Sequence, residues 1–154
     1  MATGRVFTVL MEDIGVTVAK DLFRISAPAD GIVLIHEVSL TQSSDAGDAE
    51  SEQLPVQLQR SSTDGTGTSA TPEKMQVGSG AFGGSAVTNL TVDTTQTAAA
   101  LRKAAQNVMN GWHWLFTPET QIVVPPSGRF VVRLDAAPTD SLTMHGYVVI
   151  EEIG

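Results

Sequence analysis

The chain is 154 residues long, carries a net charge of −8 at pH 7 and contains no cysteine. This length fits one domain with a core of its own, and the missing thiols exclude disulfides, thiolate metal sites and cysteine nucleophiles. The negative charge and the nine scattered Lys and Arg residues disfavour nucleic acid and membrane surfaces as partners, because both require basic side chains against phosphates.

The ends and the surface composition point to a protein that works in contact with neighbours. No basic and apolar leader opens the sequence, and its apolar runs are far shorter than the roughly 20 residues of a membrane span. Charged residues make up 17% of the chain, below the ~25% typical of soluble domains. We therefore expect a protein made in the cytoplasm and assembled there into something larger.

Alternation of apolar residues with a period of two dominates the first part of the chain and predicts β-strands at 6–11, 22–25, 32–41 and 54–58. Pro55 cannot donate a hydrogen bond to a neighbouring strand, so the strand at 54–58 is expected at a sheet edge. The pattern of the third strand places five residues on one face: Ile32, Leu34, His36, Val38 and Leu40.

Two later segments interrupt this pattern. Residues 61–86 are rich in Ser, Thr and Gly, which predicts a long loop or an arm that becomes ordered against a partner. Residues 97–109 combine helical spacing with good helix formers and predict one short helix, although two strands could also carry this sequence. Further strands are predicted at 112–116, 122–124, 130–134 and 142–150.

These elements predict a single all-β domain over residues 1–154. Short strands separated by turn signals, with one apolar face each, are typical of an antiparallel β-sandwich, here jelly-roll-like. The prediction includes one long Ser/Thr/Gly-rich loop at 61–86, and leaves 97–109 open between a short helix and strands.

Two sequence features could bind a ligand. Residues 78–83 match G-x-G-x-x-G, but a dinucleotide site needs a buried strand before the motif, a helix after it and an acid about 20 residues later, and none of these is present. An acidic run could supply oxygen ligands to a cation, but its spacing is not that of an EF-hand and favours a solvated loop. The run consists of Asp45, Asp48, Glu50 and Glu52.

The remaining candidates favour structural roles. His36, His113 and His145 all fall in predicted strands, with no pair at metal-binding spacing. Trp112 and Trp114 could form a stacking platform for sugars, but alternate aromatic residues on a strand are more often core. We therefore assign no catalytic, cofactor-binding or metal-ligating residue, and we expect a protein that is not an enzyme.

Three stretches resemble small virion proteins from the structural-gene region of tailed bacteriophages and prophages. They are 41–50 (TQSSDAGDAE), 133–144 (RLDAAPTDSLTM) and 148–152 (VVIEE). The resemblance implies a β-sandwich or jelly-roll protein that decorates the head as a cement protein. Such proteins are usually trimers that clamp neighbouring subunits of the major capsid protein. The strand at 54–58 and the segment at 61–86 would be the contact elements.

Two alternatives remain. The same kind of sandwich occurs in phage tails and head–tail connectors, which differ from the shell in copy number. A carbohydrate-binding module using Trp112 and Trp114 is the second alternative, and it requires those rings to be exposed.

Overall fold

The computed structural model describes residues 4–44 and 52–154, and all the regular secondary structure in those ranges is β-strand. No helix that could cross a membrane occurs among them. Two antiparallel sheets pack face to face, which confirms the predicted all-β sandwich. The strands are β1 (Arg5–Val16), β2 (Lys20–Ser26), β3 (Ile32–Gln42), β4 (Gln53–Arg60), β5 (Thr66–Ala70), β6 (Glu73–Lys74), β7 (Ser85–Val92), β8 (Arg102–Asn107), β9 (Trp112–Leu115), β10 (Ile122–Val124), β11 (Arg129–Leu134) and β12 (Leu142–Ile153).

Strands that are distant in sequence pair with one another. Sheet A has the order β10–β3–β12–β1–β6, and β9 pairs with β3 along the same edge as β10. Sheet B has the order β5–β7–β2–β11–β4–β8. Because β1 pairs with β12 from Arg5↔Glu152 to Val16↔Leu142, the first and last strands lie side by side within sheet A.

The core fills the space between the two sheets with the inward side chains of both. Burying one large apolar side chain in this core contributes about 1.5–3 kcal/mol to the stability of the fold. Gly146 belongs to an inward row, where an added Cβ would lie 2.7 Å from the Ser39 carbonyl oxygen and 3.2 Å from the Phe23 ring, so only glycine fits. The large core residues include Phe7, Phe23, Phe130, Ile25, Ile35, Leu40, Leu58 and Leu134.

The short helix considered for residues 97–109 is not formed. The segment contains β8, which pairs with β4 from Leu54↔Gln106 to Leu58↔Arg102 and forms one edge of sheet B. Helix propensity differs by only tenths of a kcal/mol per residue among ordinary side chains, so pairing with an exposed strand edge outweighs it.

The prediction that β4 lies at a sheet edge is wrong, because β8 covers that side. Pro55 is tolerated for a different reason. Its carbonyl accepts a hydrogen bond from the Asp135 amide (2.8 Å), which lies just beyond the end of β11. Because the nitrogen and the carbonyl of a strand residue point to the same side, the Pro55 nitrogen also faces β11 and not β8. The proline therefore removes no hydrogen bond between β4 and β8.

Residues 61–86 are only partly the predicted loop. The segment contains β5, which pairs with β7 in sheet B, and β6, which pairs with β1 in sheet A. The sequence pattern does not indicate a strand here, because Thr66–Ala70 contains no large apolar residue to alternate with polar ones. The segment thus joins the two sheets at one side of the sandwich.

A β-bulge in β3 changes the predicted faces. Opposite Val149 and Ile150, the register of β3 moves from Glu37 to Ile35, which leaves His36 as an extra residue. Val33, Ile35, Val38 and Leu40 consequently point into the core, whereas the alternation alone had placed Ile32, Leu34 and His36 on the same face as Val38 and Leu40.

Candidate protein-binding surface

Large apolar side chains are exposed to solvent on the outer surface of sheet A. Leu115 is 67% exposed, Leu10 45% and Val123 44%, and the strand register places all three on the same side of the sheet. Groups of exposed apolar side chains on one surface are typical of sites that contact other proteins. We call this surface the A face. Its outward residues are Val6, Thr8 and Leu10 of β1, Leu34, Glu37 and Ser39 of β3, His113 and Leu115 of β9, Val123 of β10, and His145, Tyr147, Val149 and Glu151 of β12.

All three histidines of the chain contact the A face, each beside a carboxylate. His36 Nε2 lies 2.8 Å from Glu151 Oε2, and His113 Nε2 lies 2.7 Å from Glu37 Oε1. The third pair is looser, with 3.5 Å between His145 Nε2 and an oxygen of Asp13. The three rings therefore have separate partners and do not converge on one point.

Glu37 is a carboxylate of the A face with two side-chain partners, Tyr147 and His113. The Tyr147 hydroxyl donates to Glu37 Oε1 (2.5 Å), and this bond is the largest cause that holds the pKa of Glu37 below its usual range. The contact with His113 lowers that pKa further. The same hydrogen bond raises the pKa of Tyr147. Because the pKa of Glu37 is lowered, Glu37 carries its negative charge at neutral pH.

Glu151 is a buried carboxylate in the same surface. Its side chain is only 4% exposed, and it accepts hydrogen bonds from the Gly4 amide (2.7 Å) and from His36. The Gln121 side chain contacts His36 Nδ1 at 2.7 Å, which orients the ring toward the carboxylate. Paired in this way, Glu151 fixes the start of β1 and the bulge of β3 onto β12.

The outer surface of sheet B is built differently, because two connections of the chain cover it. Its middle row consists of Arg24, Val131 and Gln59, which are 7%, 0% and 1% exposed. The first connection, residues 61–65, contributes Asp64, which binds Arg129 through two hydrogen bonds of 2.6 and 3.1 Å. Sheet B therefore has its own cover, whereas none of the described residues covers Leu10, Leu115 or Val123 on the A face.

The second connection, residues 93–97, is fastened to sheet B by a buried carboxylate. Asp21 is fully buried and accepts hydrogen bonds from the Thr94 amide (2.7 Å) and the Thr94 hydroxyl (2.6 Å). Its other oxygen accepts one from Arg133 (2.9 Å), which also binds Asp93 (2.7 Å). The carboxylate thus has three donors, as a buried charge requires.

The glycine motif at 78–83 forms a loop that is tied to the end of the sandwich. Glu152, whose side chain is 4% exposed, accepts hydrogen bonds from Arg5 (2.6 Å) and from the Gly83 amide (2.9 Å). The Phe82 ring packs edge-on against Phe7 at 5.4 Å. A two-residue strand precedes the motif and β7 follows it, so the helix that a dinucleotide site requires does not follow this loop.

The acidic run is only partly described. Asp45, Asp48 and Glu50 lie outside the described residues, whereas Glu52 accepts hydrogen bonds from the Thr139 amide (3.0 Å) and hydroxyl (3.0 Å). In 4–44 and 52–154, no group of three or more His, Asp or Glu side chains is arranged to hold a metal ion.

Trp112 and Trp114 lie on the inward side of β9, where they are half-buried and pack against the core. Their rings meet edge-on at 5.3 Å, and Trp114 stacks on Phe116 at 5.8 Å. The guanidinium of Arg102, from β8, lies 6.0 Å from the centre of the Trp114 ring. The aromatic residues therefore close the gap between the two sheets at this edge, and they do not form an open platform.

Sequence reasoning missed the A face. Leu10 and Val6 alternate with Phe7, Val9 and Met11, so both sides of β1 are apolar and the pattern did not show which side is outward. Leu115 and Val123 belong to short strands whose partners are far away in sequence. The signal that was available is the apolar character of both sides of β1, which is unusual for a strand with one side in water.

The chain matches no protein-family model, no curated protein and no solved structure.

Proposed function

We propose that this chain is a non-enzymatic structural protein of a tailed-phage particle, bound to its neighbours through the A face. In this proposal it decorates the head: it binds the lattice of the major capsid protein and stabilises the shell as a cement protein. It acts in the virion, after assembly in the host cytoplasm, and it associates with itself, a trimer being the favoured form. Neither nucleic acid nor a membrane is a partner.

The observation that carries the proposal is the difference between the two outer surfaces. On sheet B, two connections lie over the outer surface, and their residues Asp64, Asp93 and Thr94 are bound to side chains of the sheet. On the A face, Leu10, Leu115 and Val123 remain in contact with water. Covering them contributes about 25 cal/mol for each Å² of apolar surface removed from water, and a lattice that repeats the contact multiplies its effect.

The use of the polar residues supports a structural role. The buried carboxylates Asp21, Glu151 and Glu152 are each bound to backbone amides and to a basic side chain or a histidine. Each of these bonds joins two parts of the chain. The packing of Trp112 and Trp114 against the core weighs against the alternative of a carbohydrate-binding module.

A labelling experiment tests whether the A face is the contact surface. The chain has no cysteine, so Leu115→Cys and Leu10→Cys each introduce a single reactive thiol on the A face. Val92→Cys and Val18→Cys are matched controls, because these residues are 59% and 55% exposed and lie outside the A face.

We expect maleimide to label the A-face thiols at least about tenfold more slowly in purified particles than in the free protein, because a close-packed contact excludes water. Labelling of the controls is expected to stay unchanged. Equal labelling at all four positions, or protection of the controls alone, would rule out the A face.

Copy number separates the head from the tail. Hundreds of copies in each particle would support a place on the shell. Six or twelve copies would instead favour the tail or the head–tail connector.

A further inference from the structure

The charges of the A face define the chemistry of the surface that would cover it. Besides the buried Glu151, four carboxylates lie on the A face or at its margin near the exposed apolar residues: Glu37 of β3, Glu12 and Asp13 of β1, and Glu73 of β6. Glu73 pairs in register with the outward residue Thr8. Asp13 is 83% exposed, and Glu12 lines a shallow depression of about 210 Å³ with Leu10, His145 and Tyr147.

The basic side chains lie elsewhere. Seven of the nine Lys and Arg residues belong to sheet B. The two in sheet A, Arg5 and Lys74, pair in register with the buried Glu152 and Phe7, which belong to the inward side. Arg60 reaches only the margin, where its guanidinium donates to the Val123 carbonyl oxygen (3.2 Å). The A face therefore presents exposed apolar residues among carboxylates.

We propose that the partner surface that docks on the A face is a basic protein surface, with apolar side chains interspersed among Lys or Arg. This inference rests on the proposed function and names the chemistry of its partner. Apolar contact with Leu10, Leu115 and Val123 supplies most of the affinity. Lys and Arg side chains facing Glu12, Asp13 and Glu37 set the orientation and speed the encounter. A second acidic surface is a poor partner, because like charges brought together across an interface are unfavourable.

Short synthetic peptides test the proposal on the isolated chain. The first probe alternates Lys with Leu, the second alternates Glu with Leu, and the third alternates Lys with Ser. NMR titration of the labelled protein reports both the affinity and the amides that shift. We expect the Lys/Leu peptide to shift amides of β1, β3, β9 and β12 and to bind about tenfold or more tighter than the other two, because both the charge and the apolar contact contribute. Raising the salt concentration is expected to weaken its binding.

Two pairs of variants separate this site from a general attraction between unlike charges. Glu12→Lys and Asp30→Lys change the net charge equally, but Asp30 is an exposed turn residue that does not belong to the A face. Leu115→Ser and Val92→Ser each remove one exposed apolar side chain, from the A face and from sheet B respectively. We expect Glu12→Lys and Leu115→Ser each to weaken binding of the Lys/Leu peptide by about fivefold or more, and the two controls to change it by less than about twofold.

Three outcomes would overturn the inference: the Glu/Leu peptide binds as tightly, the amide shifts map to sheet B, or each variant and its control weaken binding equally. These failures are distinct from failure of the proposed function. If the A-face thiols are protected in particles but the Lys/Leu peptide does not bind, the surface is an interface and its partner is not basic. If the peptide binds but the thiols stay reactive in particles, the A face prefers basic chains and the particle does not use it.

Discussion

Replacing Asp21 with alanine is expected to lower the free energy of unfolding by about 3–5 kcal/mol, the usual cost of removing one partner from a buried ion pair. Asp21 is fully buried, and its carboxylate joins Thr94 of the second connection to Arg133 of β11. Without it, the Thr94 amide loses its acceptor, and the Arg133 guanidinium keeps Asp93 (2.7 Å) and the more distant Asp135 (3.7 Å). The loss should appear in urea denaturation and as a fall of roughly 6–20 °C in the melting temperature.

Asp64→Ala is the matched control for this prediction. Asp64 also joins a connection to sheet B, through two hydrogen bonds to Arg129, and that guanidinium holds the pKa of Asp64 below its usual range. Its side chain is 56% exposed, however, and exposed ion pairs contribute about 1 kcal/mol or less. Asp64 also lies 3.4 Å from the buried Arg24 guanidinium, but that guanidinium keeps its hydrogen bonds to Ser26 and Ser85. If the two variants lose the same stability, then Asp21 does not anchor the cover of sheet B as described.

Replacing Glu152 with alanine is expected to cost about 2–3 kcal/mol, which is less than the about 3–6 kcal/mol expected for two fully buried hydrogen bonds to a charged group at about 1.5–3 kcal/mol each. Arg5 is 37% exposed and can turn toward water, which keeps the cost below that of Asp21→Ala. The Gly83 amide loses its acceptor, so the loop at 78–83 is expected to detach from the sandwich. Trypsin cleavage after Lys74, in the adjacent β6, should therefore become faster.

Glu119→Ala is the control for the loop, because Glu119 is exposed in a turn far along the chain from β6. It should change neither the stability nor the cleavage rate. Unchanged cleavage after Lys74 in Glu152→Ala would show that the contacts of Phe82 with Phe7 hold the loop without the carboxylate.

The strands with strong apolar alternation could be predicted from the sequence because burial on one side leaves a period-two signal. Residues 32–41 and 142–150 fall within β3 and β12, and 130–134 coincides with β11 apart from one residue. The short strands β5 and β6 could not be predicted, and β8 could be predicted only as an alternative to a short helix. Their residues are small or polar, and pairing with a distant strand, rather than their own pattern, fixes their conformation.

The surfaces of the sandwich could not be predicted for two physical reasons. The bulge at His36 exchanges the faces of β3, and a single extra residue leaves no mark in the alternation. The cover over sheet B depends on side chains that are 72 and 73 residues apart, such as the bonds of Asp21 to Asp93 and Thr94. The contrast between a covered and an open outer surface therefore emerges only when the strands are placed together.

Reconstruction of an assembled phage particle that contains this chain is the most direct test of its role. We expect the chain to lie on the shell in hundreds of copies, with Leu10, Leu115 and Val123 buried against a neighbouring protein. A sandwich found with those residues facing solvent, or a lone monomer that occurs in no particle and turns over a substrate, would contradict it.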